Sequence, residues 1–175
     1  AYKASKKLEV VNNGHTVQVN TERGNWLGFN KVWYELKQFH FHAPSEHTLT
    51  GVNTAMEMHL VHAADANRLA VIGVMLQLGP DNPFLDRFWD AMPAEANGKA
   101  QWSGELDILD SLPDDRGFYT YQGSLTTPPC SETVSWLVMK SPLTVSKAQV
   151  DKFAKLFGGP TNRPVHSIRR PRSRS

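Results

Sequence analysis

The chain has 175 residues, 40% of them hydrophobic and 21% charged, ordinary proportions for one globular domain that buries a core without staples. No apolar run approaches the ~20 residues of a membrane span, and no secretory signal is expected in the opening AYKASKKLEV. The net charge of +2 misleads, because four arginines sit in the last seven residues and the rest carries −2, which argues against a nucleic-acid binder.

From the N-terminus, LEVV and TVQVN form two short strands within 7–20, around the turn Asn12-Asn13-Gly14. An Asn-Gly step favours the positive φ angles of a tight hairpin. Trp33 to His42 is a strand, broken at Ala43-Pro44, where proline cannot donate to a ladder. Ala55 to His62 and Leu69 to Leu78 are two more strands, the second nearly all apolar and so central. Pro83 to Met92 has helical spacing in Phe84, Leu85, Phe88 and Met92, with Asn82 as cap. Leu106 to Leu112 is a short apolar run before a Pro-Asp-Asp turn. Phe118 to Tyr121 and Thr133 to Lys140 are strands flanking a Thr-Thr-Pro-Pro loop that holds Cys130, the only cysteine. It has no partner for an intramolecular disulfide, so the redox compartment is not legible. Ser146 caps a helix to Phe157, whose apolar face is Val150, Phe153, Leu156 and Phe157, and Gly158-Gly159-Pro160 ends it. The domain is expected to occupy 1–168, with a disordered Arg/Ser tail at 169–175. Strands dominate and helices are peripheral, a mainly β (α+β) class.

The chemistry concentrates in Tyr34 to His62, which holds five of the seven histidines. Successive side chains on a strand point to opposite faces. His40 and His42 therefore share a face with Gln38, while Glu57, His59 and Val61 share one face of the next run. If the two runs pair as antiparallel neighbours, His40, His42 and His59 converge from one sheet face. Three neutral imidazoles around an open fourth position make a catalytic zinc site. Ligating histidines need the second ring nitrogen held. Gln38 and Glu57 each precede a ligand by two, although spacing does not settle which imidazole each contacts.

QFHFHAPSEHT, MEMHLVH and GSLTTPPCSETVSW, with NNGHTVQVN at 12–20 and Asn162-Arg163-Pro164, resemble the alpha class of carbonic anhydrases, closest to the bacterial type. The resemblance runs from about Lys7 to Ile168, and the family's N-terminal region with its Q-S-P-I segment is missing. It implies a twisted, mostly antiparallel sheet with short surface helices and a conical cavity reaching Zn2+ at His40, His42 and His59. The implied reaction is reversible hydration of carbon dioxide to bicarbonate and a proton by zinc-bound hydroxide; carbonic anhydrase is the standing example of zinc lowering the pKa of its bound water to about 7.

The same resemblance implies individual roles. Thr126 steers the hydroxide and donates its own proton to Glu46. Val61, Val71, Leu125, Val134 and Trp136 form the apolar substrate wall, and Thr127 contacts bicarbonate through water. His47 and Tyr121 make a hydrogen-bonded pair behind the site. His15 shuttles protons at the rim, with Asn13 and Gln18 ordering the intervening water. Thr161 stands where an asparagine is common and is expected to offer a backbone carbonyl to one ligand. His166 is structural or exposed. Inhibition by sulfonamides and anions, a periplasmic or extracellular location and possible homodimers are implied too.

Two other classes compete. A cupin shares H-x-H followed by Glu, but Tyr34 and Asn53 occupy its glycine positions and no P-x-G-x-x-H motif follows. A catalytically weak or inactive carbonic-anhydrase-like binding domain would have lost ligands, whereas all three histidines, Thr126 and Glu46 are present.

Overall fold

Residues 1–166 are described by the structure, a computed structural model; the Arg/Ser segment expected to be a disordered tail lies outside them. Among these residues the chain forms twelve strands: β1 (Ser5–Asn12), β2 (Val17–Asn20), β3 (Trp26–Phe29), β4 (Val32–His42), β5 (Thr48–Leu49), β6 (Val52–Asn53), β7 (Met56–Asp65), β8 (Arg68–Leu78), β9 (Lys99–Leu106), β10 (Phe118–Gly123), β11 (Val134–Met139) and β12 (Leu143–Val145). Ten of them form one sheet in the order β10-β11-β8-β7-β4-β2-β1-β9, with β12 beside β8 and β3 beside β4; β5 and β6 pair separately. Pairing is antiparallel except where β8 meets β11 and β12. The apolar β8 is interior, as its composition predicts.

One sheet face carries the main core. Leu8, Val10, Val17, Val19, Phe39, Phe41, Met58 and Leu60 pack there with Phe84, Phe88 and Phe153. Each such side chain contributes about 1.5–3 kcal/mol by leaving water. The other face is free to carry polar groups, and the histidines use it.

A single extra residue in β4 makes this division possible. Leu36 opposes His62 and Gln38 opposes Val61, so Lys37 is a bulge. Tyr34 and Leu36 face the core before it, and Phe39 and Phe41 face the core after it. Without the bulge, the two pairs would point to opposite faces.

The helices are shorter than their sequence patterns suggest. The region expected to be helical over Pro83 to Met92 splits into α1 (Pro83–Asp86) and a 3-10 turn at Trp89–Ala91. Asn82 caps α1 by accepting from the Phe84 and Leu85 N–H groups. The break lets the Trp89 indole N–H reach the Gln149 carbonyl at 3.0 Å. The second helix, α2 (Lys147–Ala154), opens on a capping box of Ser146 and Gln149. Its expected last turn, to Phe157, tightens into i→i−3 bonds from Leu156 to Phe153 and from Phe157 to Ala154. Four features have no counterpart in the sequence expectations: β3, β9, β12 and the β5–β6 hairpin. Most of β9 is exposed, so it lacks the apolar alternation that betrays a strand, and the others are too short to show a period.

Candidate metal centre

Register brings the site together. Gln18 on β2 opposes His40 on β4, His40 opposes His59 on β7, and His59 opposes Gly73 on β8. The neighbouring row runs Asn20, Gln38, Val61, Val71, Trp136 and Tyr121 across six strands. Polar residues occupy one end of that row and apolar ones the other.

The three imidazoles meet as the strand argument requires. Ring centroids lie 5.0 Å apart for His40 and His42, 5.2 Å for His40 and His59, and 4.8 Å for His42 and His59. One nitrogen from each falls within 4.8 Å of the others. The opposite nitrogens are all engaged. His40 Nδ1 bonds Gln38 Oε1 at 2.9 Å, His42 Nδ1 donates to the Thr161 carbonyl at 3.0 Å, and His59 Nε2 bonds Glu57 Oε1 at 2.9 Å. Spacing left the assignment of Gln38 and Glu57 open; each serves the histidine two residues after it. Thr161 supplies the third support, and its hydroxyl also accepts from the Ala43 N–H at 3.0 Å.

The donor set fits a cation. Among the described residues, His42 Nε2 is buried without a hydrogen-bond partner, an arrangement rare in folded proteins unless an ion or water takes the position. Burial pushes the His40 imidazole well below its usual range, and positive charge on His59 and His42 would push it further. Burial and His59 lower His42 in the same way, against the pull of Glu46. Both rings are thereby kept neutral, the form that ligates. Tetrahedral zinc with nitrogen ligands suits three imidazoles and one open position.

Glu57 organises the rear of the site. Burial works to raise its carboxyl, yet the imidazoles of His59 and His47 hold it well below the usual carboxylate range. Its Oε2 accepts from the backbone N–H groups of Glu46 and His47, and its Oε1 bonds His47 Nδ1 at 2.6 Å as well as His59. His47 Nε2 bonds the Tyr121 hydroxyl at 2.7 Å. Both His47 nitrogens are therefore occupied, and the His47–Glu57–His59 group is framework. Burial, with the charges of Glu57 and Glu46, raises the Tyr121 phenol above its normal range.

A cavity of about 670 Å3 opens onto the histidines, lined by Asn13, His15, Gln18, Gln38, His40, His42, Glu46, Thr126 and Thr127 among others. His15 is exposed at its rim. Asn13 turns its Oδ1 to the backbone N–H groups of His15 and Thr16, so that oxygen builds the turn. Beside the histidines, Val71, Val134 and Trp136 are buried together with Val61 and Leu125 against them. The Trp136 ring lies 4.8 Å from His59, so this apolar cluster abuts the imidazoles. His166 is exposed.

Thr126 and Glu46 share the cavity, but the expected bond between them is not made. Glu46 Oε1 accepts from the Arg163 N–H at 2.8 Å, and its Oε2 is buried without a hydrogen-bond partner among the described residues. The Thr126 loop turns back on itself through Cys130 N–H to Thr127 carbonyl and Leu125 N–H to Ser131 carbonyl. Two contributors had no role in the sequence reading. Arg163 anchors Glu46 through its backbone, which side-chain identity does not reveal. Gly73 lies under Glu57, and a Cβ there would meet Glu57 Oε1 at 2.8 Å. Its signal was present, since a lone glycine inside an apolar strand marks a close approach.

Comparison with known proteins gives concordant results. A carbonic anhydrase of Nostoc sp. is 46% identical over 163 residues, covering 92% of this chain and 61% of that protein. Other bacterial relatives give similar figures, and the chain spans 61% to 66% of the length of the curated carbonic anhydrases it first matches. Among solved structures, the alpha-carbonic anhydrase of Thermovibrio ammonificans in complex with the inhibitor sulfanilamide superposes with TM-score 0.91 at 43% identity, covering 95% of this chain and 74% of that one. Dioscorin complexed with ascorbate superposes with TM-score 0.86 at 33% identity, covering 95% and 72%. A family model described as eukaryotic-type carbonic anhydrase matches residues 1–174. With this sheet, this triad of histidines and that match, the chain belongs to the eukaryotic-type carbonic anhydrase family.

Proposed function

We propose that the chain catalyses reversible hydration of carbon dioxide to bicarbonate and a proton, with Zn2+ held by His40, His42 and His59. The observation that carries this reading is the buried, unpartnered His42 Nε2 facing two further imidazoles whose outer nitrogens are already engaged. Zinc, when bound, supplies a Lewis acid that brings the pKa of a coordinated water to about 7.

The residues divide the remaining work. Gln38, the Thr161 carbonyl and Glu57 fix each ring's tautomer and direction. The Val61, Val71, Leu125, Val134 and Trp136 cluster gives apolar carbon dioxide a dry surface beside the histidines. Thr126 rotates its hydroxyl toward the free Glu46 Oε2, a bond formed only with substrate in place; catalytic hydrogen bonds commonly tighten at that stage. Thr127 orients bicarbonate through water. His15 takes protons from the cavity to solvent, with Gln18 and the Asn13 amide ordering the path. Sulfonamide anions compete for the open position. Export to the periplasm or cell exterior, and a homodimer, are parts of the same proposal that rest on family likeness.

The test is metal content with stopped-flow carbon dioxide hydration on the chain before and after zinc loading. One zinc per chain with zinc-dependent turnover is expected, and loss of both in His59→Ala. Stoichiometric iron without hydration would overturn the reading. The unmade Thr126–Glu46 bond favours one second reading, a weakly active or inactive binding domain of this fold; zinc binding with no turnover would establish it.

A further inference from the structure

A line of polar side chains leaves the cavity through Gln18 and crosses β2 and β1. Gln18 Nε2 donates to Asn20 Oδ1 at 2.7 Å, Asn20 Nδ2 donates to Glu9 Oε2 at 2.8 Å, and Lys99 Nζ lies 3.5 Å from Glu9 Oε1. Register explains the line, since Glu9 opposes Asn20 and Gln18 opposes His40. An amide has a donor end and an acceptor end of nearly the same size, so its neighbours decide which way it turns. A carboxylate has only acceptors. Glu9 must therefore take the NH2 of Asn20, which turns Asn20 Oδ1 toward Gln18, which in turn takes the NH2 of Gln18. Turned away from Asn20 is the carbonyl oxygen of Gln18, a residue that lines the cavity.

We infer that Glu9, outside the cavity, sets the hydrogen-bond polarity of the cavity wall through Asn20, presenting Gln18 Oε1 as an acceptor to the water that links the interior to His15. This rests on the proposed hydration reaction. A water that donates one hydrogen to Gln18 keeps a lone pair for a proton arriving from the interior. It passes its other proton to the free ring nitrogen of His15 and is neutral again afterwards. A donor at the Gln18 position would occupy one of its two lone pairs and make it a poorer acceptor for that proton. Glu9 is a positioning residue, touching neither substrate nor metal.

Neutron diffraction from deuterium-exchanged crystals of the zinc-loaded protein locates the amide deuterons directly. In the wild type, the ND2 groups of Asn20 and Gln18 are expected on the Glu9 and Asn20 sides respectively. Glu9→Lys replaces acceptors by donors, so both amides should reverse; Asn20→Leu should cut the line. In both variants kcat should fall about fivefold, the size of one weakened hydrogen bond, with kcat/KM unchanged and kcat restored by added imidazole. Damage to the fold would instead lower both constants without rescue. Wild-type maps with Gln18 Nε2 on the cavity side, unreversed amides in Glu9→Lys, or reversal with unchanged kcat would each overturn the inference. If the wild type hydrates no carbon dioxide, the proposed function fails separately, and the neutron maps alone decide the orientation.

Discussion

Glu57 shows how much one side chain carries. Its two oxygens accept from two backbone N–H groups and bond two imidazoles, all at 2.6–2.9 Å. Removing the charge while keeping the shape, in Glu57→Gln, leaves His59 beside an amide whose NH2 end must face a donor. Zinc affinity should fall by about 10- to 100-fold, the usual cost of losing a partner of a ligating histidine, measured by competition with a chelator. Gly73→Ala tests the same carboxylate from below. Its methyl would stand 2.8 Å from Glu57 Oε1, closer than such contacts occur, so the carboxylate must shift and zinc should again bind less tightly. Unchanged affinity in that variant would show that Glu57 has room to move. His15 is the opposite case, exposed at the cavity rim. His15→Ala should slow turnover in weak buffer, recover with imidazole and keep its zinc. Equal rates with and without the histidine would end its assignment as shuttle.

At the scale of an element, β4 decides the site, and its legibility in the sequence was uneven. The H-x-H alternation was plain, because a period of two needs only a few residues to show. The bulge at Lys37 was equally written there: the apolar positions Tyr34, Leu36, Phe39 and Phe41 slip by one between the second and third. A rule of strict alternation passes over that slip, since it is visible only when both halves are asked to face one core. The third support for the ligands was beyond any local pattern. The Thr161 carbonyl is 119 residues from His42, and a backbone oxygen leaves no mark on side-chain identity; family resemblance alone pointed to it. Deleting Lys37 would restore strict alternation and turn either Tyr34 and Leu36 or Phe39 and Phe41 away from the core. Exposing two such side chains costs about 3–6 kcal/mol, comparable to the stability of a whole domain. The deletion should therefore unfold the chain, seen as loss of the cooperative urea transition. A folded deletion variant that still bound zinc would mean the bulge is incidental.

Across the molecule, the two faces of the sheet impose one shared dependence on pH. His62 lies on the core face of β7, buried, with Nδ1 facing the Leu60 and Ala70 carbonyls at 3.0 and 3.3 Å. That nitrogen must carry the proton, so Nε2 accepts from the Tyr2 hydroxyl at 2.6 Å and ties the start of the chain to a central strand. Burial lowers the His62 pKa to about 4, against the pull of the two carbonyls. In the unfolded chain a histidine takes its proton near pH 6.5. Between pH 6.5 and about 4 the unfolded state therefore binds a proton that the folded state refuses, and stability falls as pH falls. The total loss is on the order of 3 kcal/mol for this one residue. His40 and His42, also lowered, act in the same direction. Glu57 acts elsewhere: its depressed carboxyl stabilises the fold above its unfolded value of 4.5, and that share is lost only at lower pH. His62→Gln keeps a polar partner for Tyr2 without a titrating ring. Urea unfolding of the zinc-loaded protein at pH 7.5 and 4.5 should show the wild type losing about 2–3 kcal/mol more than the variant over that interval. Equal losses would mean that His62 titrates alike in both states, and acid sensitivity would then belong to the histidines on the opposite face.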